Sequence, residues 1–286
     1  MNTLVVTHVY QQAKPYLAEL FASIQAQTDQ EFDCLAFNYG LDAPLAEFGF
    51  VGTEVANDHN LGIPDARDWA LRYALEQGYD LAIFIDADDV MAADRVARTK
   101  AAFSDEFGFY YTGLNLLSDR QRDFFEGQQP SQVTSVDAVM AHNFVGLSHF
   151  AINVKAAAAV IETMTCPLDV IAYDWFLTSA LLLNGLKGKR VDSITYYRIY
   201  EQNTAGFTNS LTPEKLKRTI SVKAIHYRVM AEYCRAHGFS AMLTAYADKR
   251  HHYQGLLAQV EVETPAQTRQ RLTTIHPANA YWWSAI

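Results

Sequence analysis

Cysteine is scarce in this chain: Cys34, Cys166 and Cys234 are the only three among 286 residues. They are too widely spaced for a disulfide framework or a CxxC metal knuckle, so a reducing, cytoplasmic setting is expected. Long apolar runs are missing too. No stretch approaches the roughly 18 uncharged apolar residues of a membrane span, and "MNTLVVTHVYQQAK" lacks a basic segment followed by a long apolar one. Neither a membrane-spanning nor a secreted chain is expected. Positive charge is in deficit: the net charge of −9 excludes a general nucleic-acid binder, which needs a positive surface to displace counterions from phosphates. The deficit is uneven, because residues 214–252 carry eight Lys or Arg against three acidic residues, which makes that segment +5 and the remainder −14.

Several catalytic signatures are also missing. Without a GxSxG elbow, a G-x-x-x-x-G-K-[ST] loop or a GxGxxG turn, serine-hydrolase, P-loop and ordinary dinucleotide readings lose their main support. The nine histidines form no HxxxH or HxH ligand pair. His251 and His252 are expected on a helical surface. His149, in "GLSHFAI", is expected in the core or at its rim rather than facing an acceptor.

What is present is a strand–helix alternation. "TLVVT" (3–7), "FDCLAF" (32–37), "LAIFID" (81–86), "FGFYYTGL" (107–114) and "RVDSITYY" (190–197) are rich in aromatic and β-branched residues and read as strands. "PYLAELFASIQAQT" places Pro15 at a first helical position, with apolar residues at 17, 20, 21 and 24. "PDARDWALRYALEQG" repeats the pattern at 66, 69, 70 and 73, with Gly78 as the stop. Such alternation implies an α/β fold with a mainly parallel sheet covered on both faces. From about residue 212 the strand signal ends and two helices are expected, with Thr212 and Pro213 as cap and first turn. The organisation is then a catalytic domain over 1–210 and a C-terminal helical extension over 211–286 packed on it.

The stretch "YDLAIFIDADDVM" sets Asp86, Asp88 and Asp89 directly after an apolar strand. In open α/β sheets, ligands bind beyond the carboxyl ends of the strands, where loops converge. Asp88 or Asp89 capping a helix near Ala92 accounts for one carboxylate. Three together repel one another and are best tolerated around a divalent cation, which prefers hard oxygen ligands.

Two known patterns share this hhhDxDD stretch. "IFIDADDV" fits the nucleophile motif of haloacid-dehalogenase-like phosphatases, with Asp86 as nucleophile. That motif usually opens its domain, whereas eighty residues of βα structure precede it here. The other pattern is the DxD of nucleotide-sugar glycosyltransferases. "LVVTHVYQQAKPYLAELFASIQAQT", "NLGIPDARDWALRYALEQGYDLAIFIDADDVM", "LDVIAYDWFLTSALLLNG" and "YYRIYEQNTAG", in that order over about residues 3–206, resemble the family 2 glycosyltransferases of GT-A fold.

The resemblance implies a metal-dependent, inverting transfer of a sugar from a nucleotide diphosphate to a hydroxyl acceptor. Asp88 would contact Mn²⁺ or Mg²⁺, Asp86 the metal or the ribose, and Asp89 the donor sugar or the metal. Asp174 would be the general base, although an acidic residue in a first helical turn is also favoured by the helix dipole. Thr7 and Tyr10, after the first strand, would meet the nucleotide, and Arg67 its base or diphosphate. The family usually has Asp-Asp-Gly where this chain has Asn38-Tyr39-Gly40. An Asn oxygen still accepts the N–H of uracil or thymine, so a UDP- or dTDP-sugar is expected. Asp68 stands where Asn is frequent. Arg198 would close over the diphosphate, and Tyr200 stands where the family often supplies His.

The setting implied is polysaccharide or cell-envelope synthesis on a carbohydrate or lipid-linked acceptor. The departures at Asn38, Tyr39, Asp68 and Tyr200 keep open a degenerate GT-A domain that binds nucleotide or glycan without turnover. The ending "AYWWSAI" beside a basic segment allows two arrangements. Either Trp282 and Trp283 pack the tail onto the catalytic part, or they join Lys and Arg at an anionic membrane surface.

Overall fold

A computed structural model of the protein describes residues 1–200, 212–274 and 281–284. The chain begins with β1 (Thr3–Val9), a 3₁₀ turn over Gln11–Tyr16, α1 (Leu17–Gln25), β2 (Asp33–Asn38), β3 (Thr53–Ala56), α2 (Ile63–Glu76) and β4 (Leu81–Asp86). It continues through β5 (Val90–Met91), α3 (Arg95–Ala102), β6 (Phe109–Leu116), β7 (Gln132–Val133), β8 (Phe150–Asn153), α4 (Ala158–Thr163), α5 (Tyr173–Leu183) and β9 (Gly188–Tyr197). Three helices follow, α6 (Pro213–Ala236), α7 (Ser240–Val262) and α8 (Pro265–Thr274), one more than expected.

The local chemistry explains most of these elements. Leu17, Leu20, Phe21 and Ile24, the stripe that defines α1, are all buried. Pro15, however, lies inside the 3₁₀ turn ahead of α1 rather than at its first position. Pro64 occupies the first turn of α2, where a missing N–H costs nothing, and Gly78 ends the segment at φ +74. Helix α3 starts at Arg95 with Asp94 at its N-cap, so neither Asp88 nor Asp89 caps it.

The sheet is mixed, which corrects the mainly parallel expectation. Its order is β3-β2-β1-β4-β8-β6-β9-β5, with β7 also paired to β9. Strands β3, β2, β1 and β4 run parallel, as does the β6–β9 pair. Strand β8 is antiparallel to β4 and β6, and β5 and β7 are antiparallel to β9. The reason lies in connectivity. Parallel neighbours need a crossover, which the βα units before residue 86 supply. The chain reaches β8 instead through a 3₁₀ turn, Leu147–His149, and enters the sheet beside β4 in the opposite direction.

Two apolar cores flank the sheet. Val5, Val9, Leu81, Ile83 and Ile85 pack with Leu17, Leu20 and Phe21 of α1 and Val96 of α3. On the other face Val6, Phe84, Phe109 and Ile152 join α2, α5 and residues of the tail helices, among them Leu216, Ile220 and Tyr246, in one continuous cluster. Helix α6 is anchored by Thr212 Oγ1, which accepts from Lys215 N, and by the Tyr227 hydroxyl, which donates to Met140 O at 3.0 Å. Among the described residues no helix is long and apolar enough to cross a membrane.

Candidate functional site

Three strand ends meet at one level. Val9 pairs with Asn38, and His8 with Asp86, so β1, β2 and β4 release their loops together. The acidic turn follows β4 and closes with Asp89 N donating to Asp86 O at 3.2 Å.

The three aspartates then take different environments. Asp89 is 1% exposed, and both its oxygens are engaged: Oδ1 accepts from Arg198 N at 2.8 Å and Oδ2 from Ser148 Oγ at 2.5 Å. Burial, with the charges of Asp88 and Asp86, holds its carboxyl well above the usual range. Asp88 is half-buried, and its Oδ2 accepts from the Tyr200 hydroxyl at 2.7 Å. Asp86 carries a carboxylate to which none of the described residues donates a hydrogen bond, while its backbone N donates to Ser148 Oγ at 3.2 Å. Burial pushes the Asp86 carboxyl up to about 6; Asp88 and Asp174 add to the rise, and Arg67 and Arg95 oppose it.

Arg198 is tied to this turn. Its Nε donates to Asp88 O at 2.8 Å, its Nη2 pairs with Glu19 at 2.5 Å, and its guanidinium lies 4.4 Å from the centroid of the Tyr16 ring. Tyr16 in turn stacks on Tyr200. The Tyr10 hydroxyl lies beside Tyr200, and burial together with Asp88 raises its pKa strongly.

Across from the acidic turn stands Arg67, which α2 projects half-buried towards Asp86 and Asp174. Its guanidinium lies 5.5 Å over the Tyr173 ring, and its charge acts on both carboxyls. Its Nε is buried with no partner among the described residues. Asp174, in the first turn of α5, accepts from Trp175 N at 2.8 Å. Burial raises the Asp174 carboxyl, while Arg67 and backbone amides, those of Trp175 and Leu147 among them, pull it back. The preceding residue is clamped, because the Tyr173 hydroxyl donates to Asp68 Oδ1 at 2.7 Å and Asp68 Oδ2 accepts from Cys166 N at 3.0 Å. Asp68 therefore joins α2 to α5.

The remaining expected residues differ in fate. Thr7 does not follow the first strand: it lies within β1, fully buried, with its Oγ1 unpartnered. The Asn38 amide is engaged at both ends, with Oδ1 accepting from Leu41 N at 2.7 Å and Nδ2 donating to Glu54 at 2.7 Å. Beside it a cleft of about 190 Å³ opens between Phe37, Asn57, Leu61 and Trp69. His149 is a core residue, 1% exposed, with Nε2 at 3.2 Å from both Gly146 N and Phe144 O. His251 and His252 are exposed. Of the tail, Trp282 is buried against Phe125 and His149 and exchanges two backbone hydrogen bonds with Asn143. Residues 201–211, which include the end of the Tyr-Arg…Asn-Thr segment, lie outside the described residues.

Sequence reasoning missed Ser148 and Arg95. Arg95 is 1% exposed, and its guanidinium donates to Ser148 O at 2.8 Å, to Phe84 O at 2.7 Å and to Phe150 O at 3.3 Å. It is a buried cation under the acidic turn. Neither "AADRVA" nor "GLSHF" carries a pattern that marks these roles.

The fold has counterparts among solved structures. The mannosyltransferase PcManGT from Pyrobaculum calidifontis, in complex with GDP-Man and Mn²⁺, matches at TM-score 0.57 and 14% identity over 96% of this chain and 79% of that one. S. aureus TarS 1–349 with UDP-GlcNAc matches at TM-score 0.55 and 16% identity over 91% and 81%. The same protein with UDP matches at 0.52 and 16% over 79% of this chain, which spans 65% of that one. The fold is a glycosyltransferase fold. No protein-family profile and no curated protein matches the chain in sequence.

Proposed function

We propose that this chain is a metal-dependent, inverting glycosyltransferase of GT-A type, related to family 2, with Asp86-Ala87-Asp88 as its DxD motif. It takes a sugar from a nucleotide diphosphate to a hydroxyl of a carbohydrate or lipid-linked acceptor. The observation that carries the reading is that Asp86, at the carboxyl end of β4, lies within reach of the charges of Asp88, Asp174 and Arg67, with Arg67 also acting on Asp174. The neighbours' complexes with UDP, UDP-GlcNAc and GDP-Man support a nucleotide-sugar donor.

The donor set fits a divalent cation in a restricted way. Among the described residues no cluster of three His, Cys, Asp or Glu forms a ready cage, and Asp89 has no oxygen to spare. Asp86 and Asp88 remain, and Mg²⁺ or Mn²⁺ is commonly held by one or two carboxylates plus substrate phosphates and water. Asp86, half-buried and with no hydrogen-bond donor to its carboxylate among the described residues, is the carboxylate that most needs a cation. When bound, the ion offsets the charge that builds on the β-phosphate.

This chain's own residues do the rest. Arg67 offers a guanidinium to the diphosphate or base, and Asp89 and Arg198 hold the acidic turn in shape. Asp174 takes the acceptor proton: as the hydroxyl oxygen bonds to the anomeric carbon and the bond to the β-phosphate oxygen breaks, the proton passes to a carboxyl whose pKa burial has raised towards the working range. Tyr10 and Asn38 border the nucleotide, and the basic segment 214–252 favours an acceptor bearing phosphate or lying on an anionic surface. Thermal stabilisation by UDP, GDP, dTDP and CMP, each with and without Mn²⁺, tests the donor. A Mn²⁺-dependent shift lost in Asp88→Ala, with slow sugar-nucleotide hydrolysis lost in Asp174→Asn, is expected; no shift with any nucleotide overturns the reading.

The committed amide of Asn38 and the Tyr200 hydroxyl on Asp88 favour one alternative, a domain that binds nucleotide without turnover. Binding with no hydrolysis of any donor distinguishes it. A phosphatase acting through Asp86 is tested by trapping an aspartyl phosphate.

A further inference from the structure

The turn that leads into β8 is bonded to the acidic turn after β4. Ser148, 4% exposed, donates its hydroxyl to Asp89 Oδ2 at 2.5 Å and accepts from Asp86 N at 3.2 Å with the same oxygen. Its carbonyl accepts from Arg95 Nη1 at 2.8 Å, and Arg95 Nη2 holds Phe84 O of β4 and Phe150 O of β8. One residue earlier, Leu147 is buried in the same apolar cluster as Tyr173, Trp175 and Phe176 of α5. Two consecutive residues of one 3₁₀ turn thus connect the acidic turn after β4 with the first turn of α5.

We propose that Ser148 is a positioning residue: its hydroxyl locks the Asp86–Asp89 turn to the Leu147–His149 turn and so fixes the donor-binding carboxylates relative to Asp174. The inference rests on the glycosyltransferase reading for its catalytic consequence, but the mechanical coupling does not.

The physical basis is that no alternative partner is at hand. Asp89 has two oxygens and two donors, one of them Ser148, in a site water barely reaches. An acceptor orphaned in a buried site costs the full desolvation of the group. Loss of the hydroxyl leaves Asp89 Oδ2 without a donor and Asp86 N without an acceptor together. The acidic turn then relaxes towards solvent, away from Leu147. Arg95 keeps the Ser148 backbone in place, so the change is confined to the hydroxyl link.

Hydrogen exchange of the full chain tests this directly. Ser148→Ala is expected to speed amide exchange at least tenfold in both the 84–91 and the 171–177 segments. In sugar-nucleotide hydrolysis, kcat is expected to fall at least tenfold with the donor KM within about threefold. Val260→Ala in α7, a fully buried position on a helix that packs on α6, is the control for simple destabilisation and is expected to leave both segments unchanged. If the alanine variant does not fold, Ser148→Cys, which keeps the volume but offers only a weak S–H donor, carries the test. Exchange in the two segments indistinguishable from wild type or from the control overturns the inference whatever the activity. A wild-type protein that hydrolyses no sugar nucleotide overturns the transferase reading and leaves the exchange result standing.

Discussion

Asp86 carries the least compensated charge of the three aspartates, and its carboxyl, raised to about 6, makes a stability prediction. An unfolded Asp titrates near 3.9, so between about pH 4 and 6 the folded state binds more protons than the unfolded one. Stability therefore falls as pH rises through that window, and the cost is complete above it. Asp86→Asn removes the charge. In the presence of EDTA the variant is expected to be more stable than wild type at pH 7 by about 2 kcal/mol, after allowance for partial exposure, with the gap closing below pH 4. Urea midpoints across pH 4–8 measure it.

Arg95 makes the complementary case. Burial lowers it to about 9, with Asp89 and Asp86 acting to keep it charged, so it stays protonated at neutral pH. Arg95→Met strips donors from three backbone carbonyls and is expected to cost about 2–4 kcal/mol; Arg95→Lys rescues little, because a single ammonium lacks the planar fork that reaches all three. Chemical denaturation checks both. The aspartates were legible in the sequence because charge after an apolar strand is conspicuous. Arg95 and Ser148 were not, since one reads as an ordinary helical Arg and the other as an ordinary loop Ser. Their roles come from a strand pairing that no local pattern encodes. Asp68 shows the same limit: only the fold reveals two donors, Tyr173 and Cys166, arriving from elsewhere in the chain.

At the level of elements, periodicity located the long pieces and lost the short ones. β1, β2, β4, β6 and β9 were read from their apolar runs, whereas β3, β5, β7 and β8 span two to four residues each, too few to show alternation. Without β8 the sheet reads as mainly parallel, because four residues give no signal of the antiparallel strand that lies between β4 and β6. The returning tail was half legible: the aromatic pair invited packing, and Trp282 does pack. A methyl group added at Gly146 would lie 2.6 Å from the Trp282 ring. Trp282→Ala is expected to cost about 3 kcal/mol by cavity formation, and Gly146→Ala about 1–3 kcal/mol by overpacking. Because the space vacated by one receives the other, the double variant is expected to lose less than the two single losses combined, which a thermal double-mutant cycle reads out.

For the whole molecule, the continuous core from β4 through α5 to α6 and α7 joins the α/β part and the tail helices. Residues 1–210 alone would expose the face of α5 on which Trp175 and Phe176 meet His226, Tyr227 and Tyr233 of α6. That fragment is expected to give no cooperative thermal transition by circular dichroism, while the full chain gives a single one.

Strand β8 has a last consequence, in time rather than in space. It lies between β4 and β6, yet it is reached only after the whole stretch from β5 to β7 has been traversed. Pairings of such long sequence separation close late, because loop entropy opposes them until many contacts form together. Ser148 arrives with β8, so Asp89 gains its second hydrogen bond only when the sheet is closed. The acidic turn is consequently among the last parts of the protein to settle, and its mutual repulsion burdens the end of folding rather than the beginning.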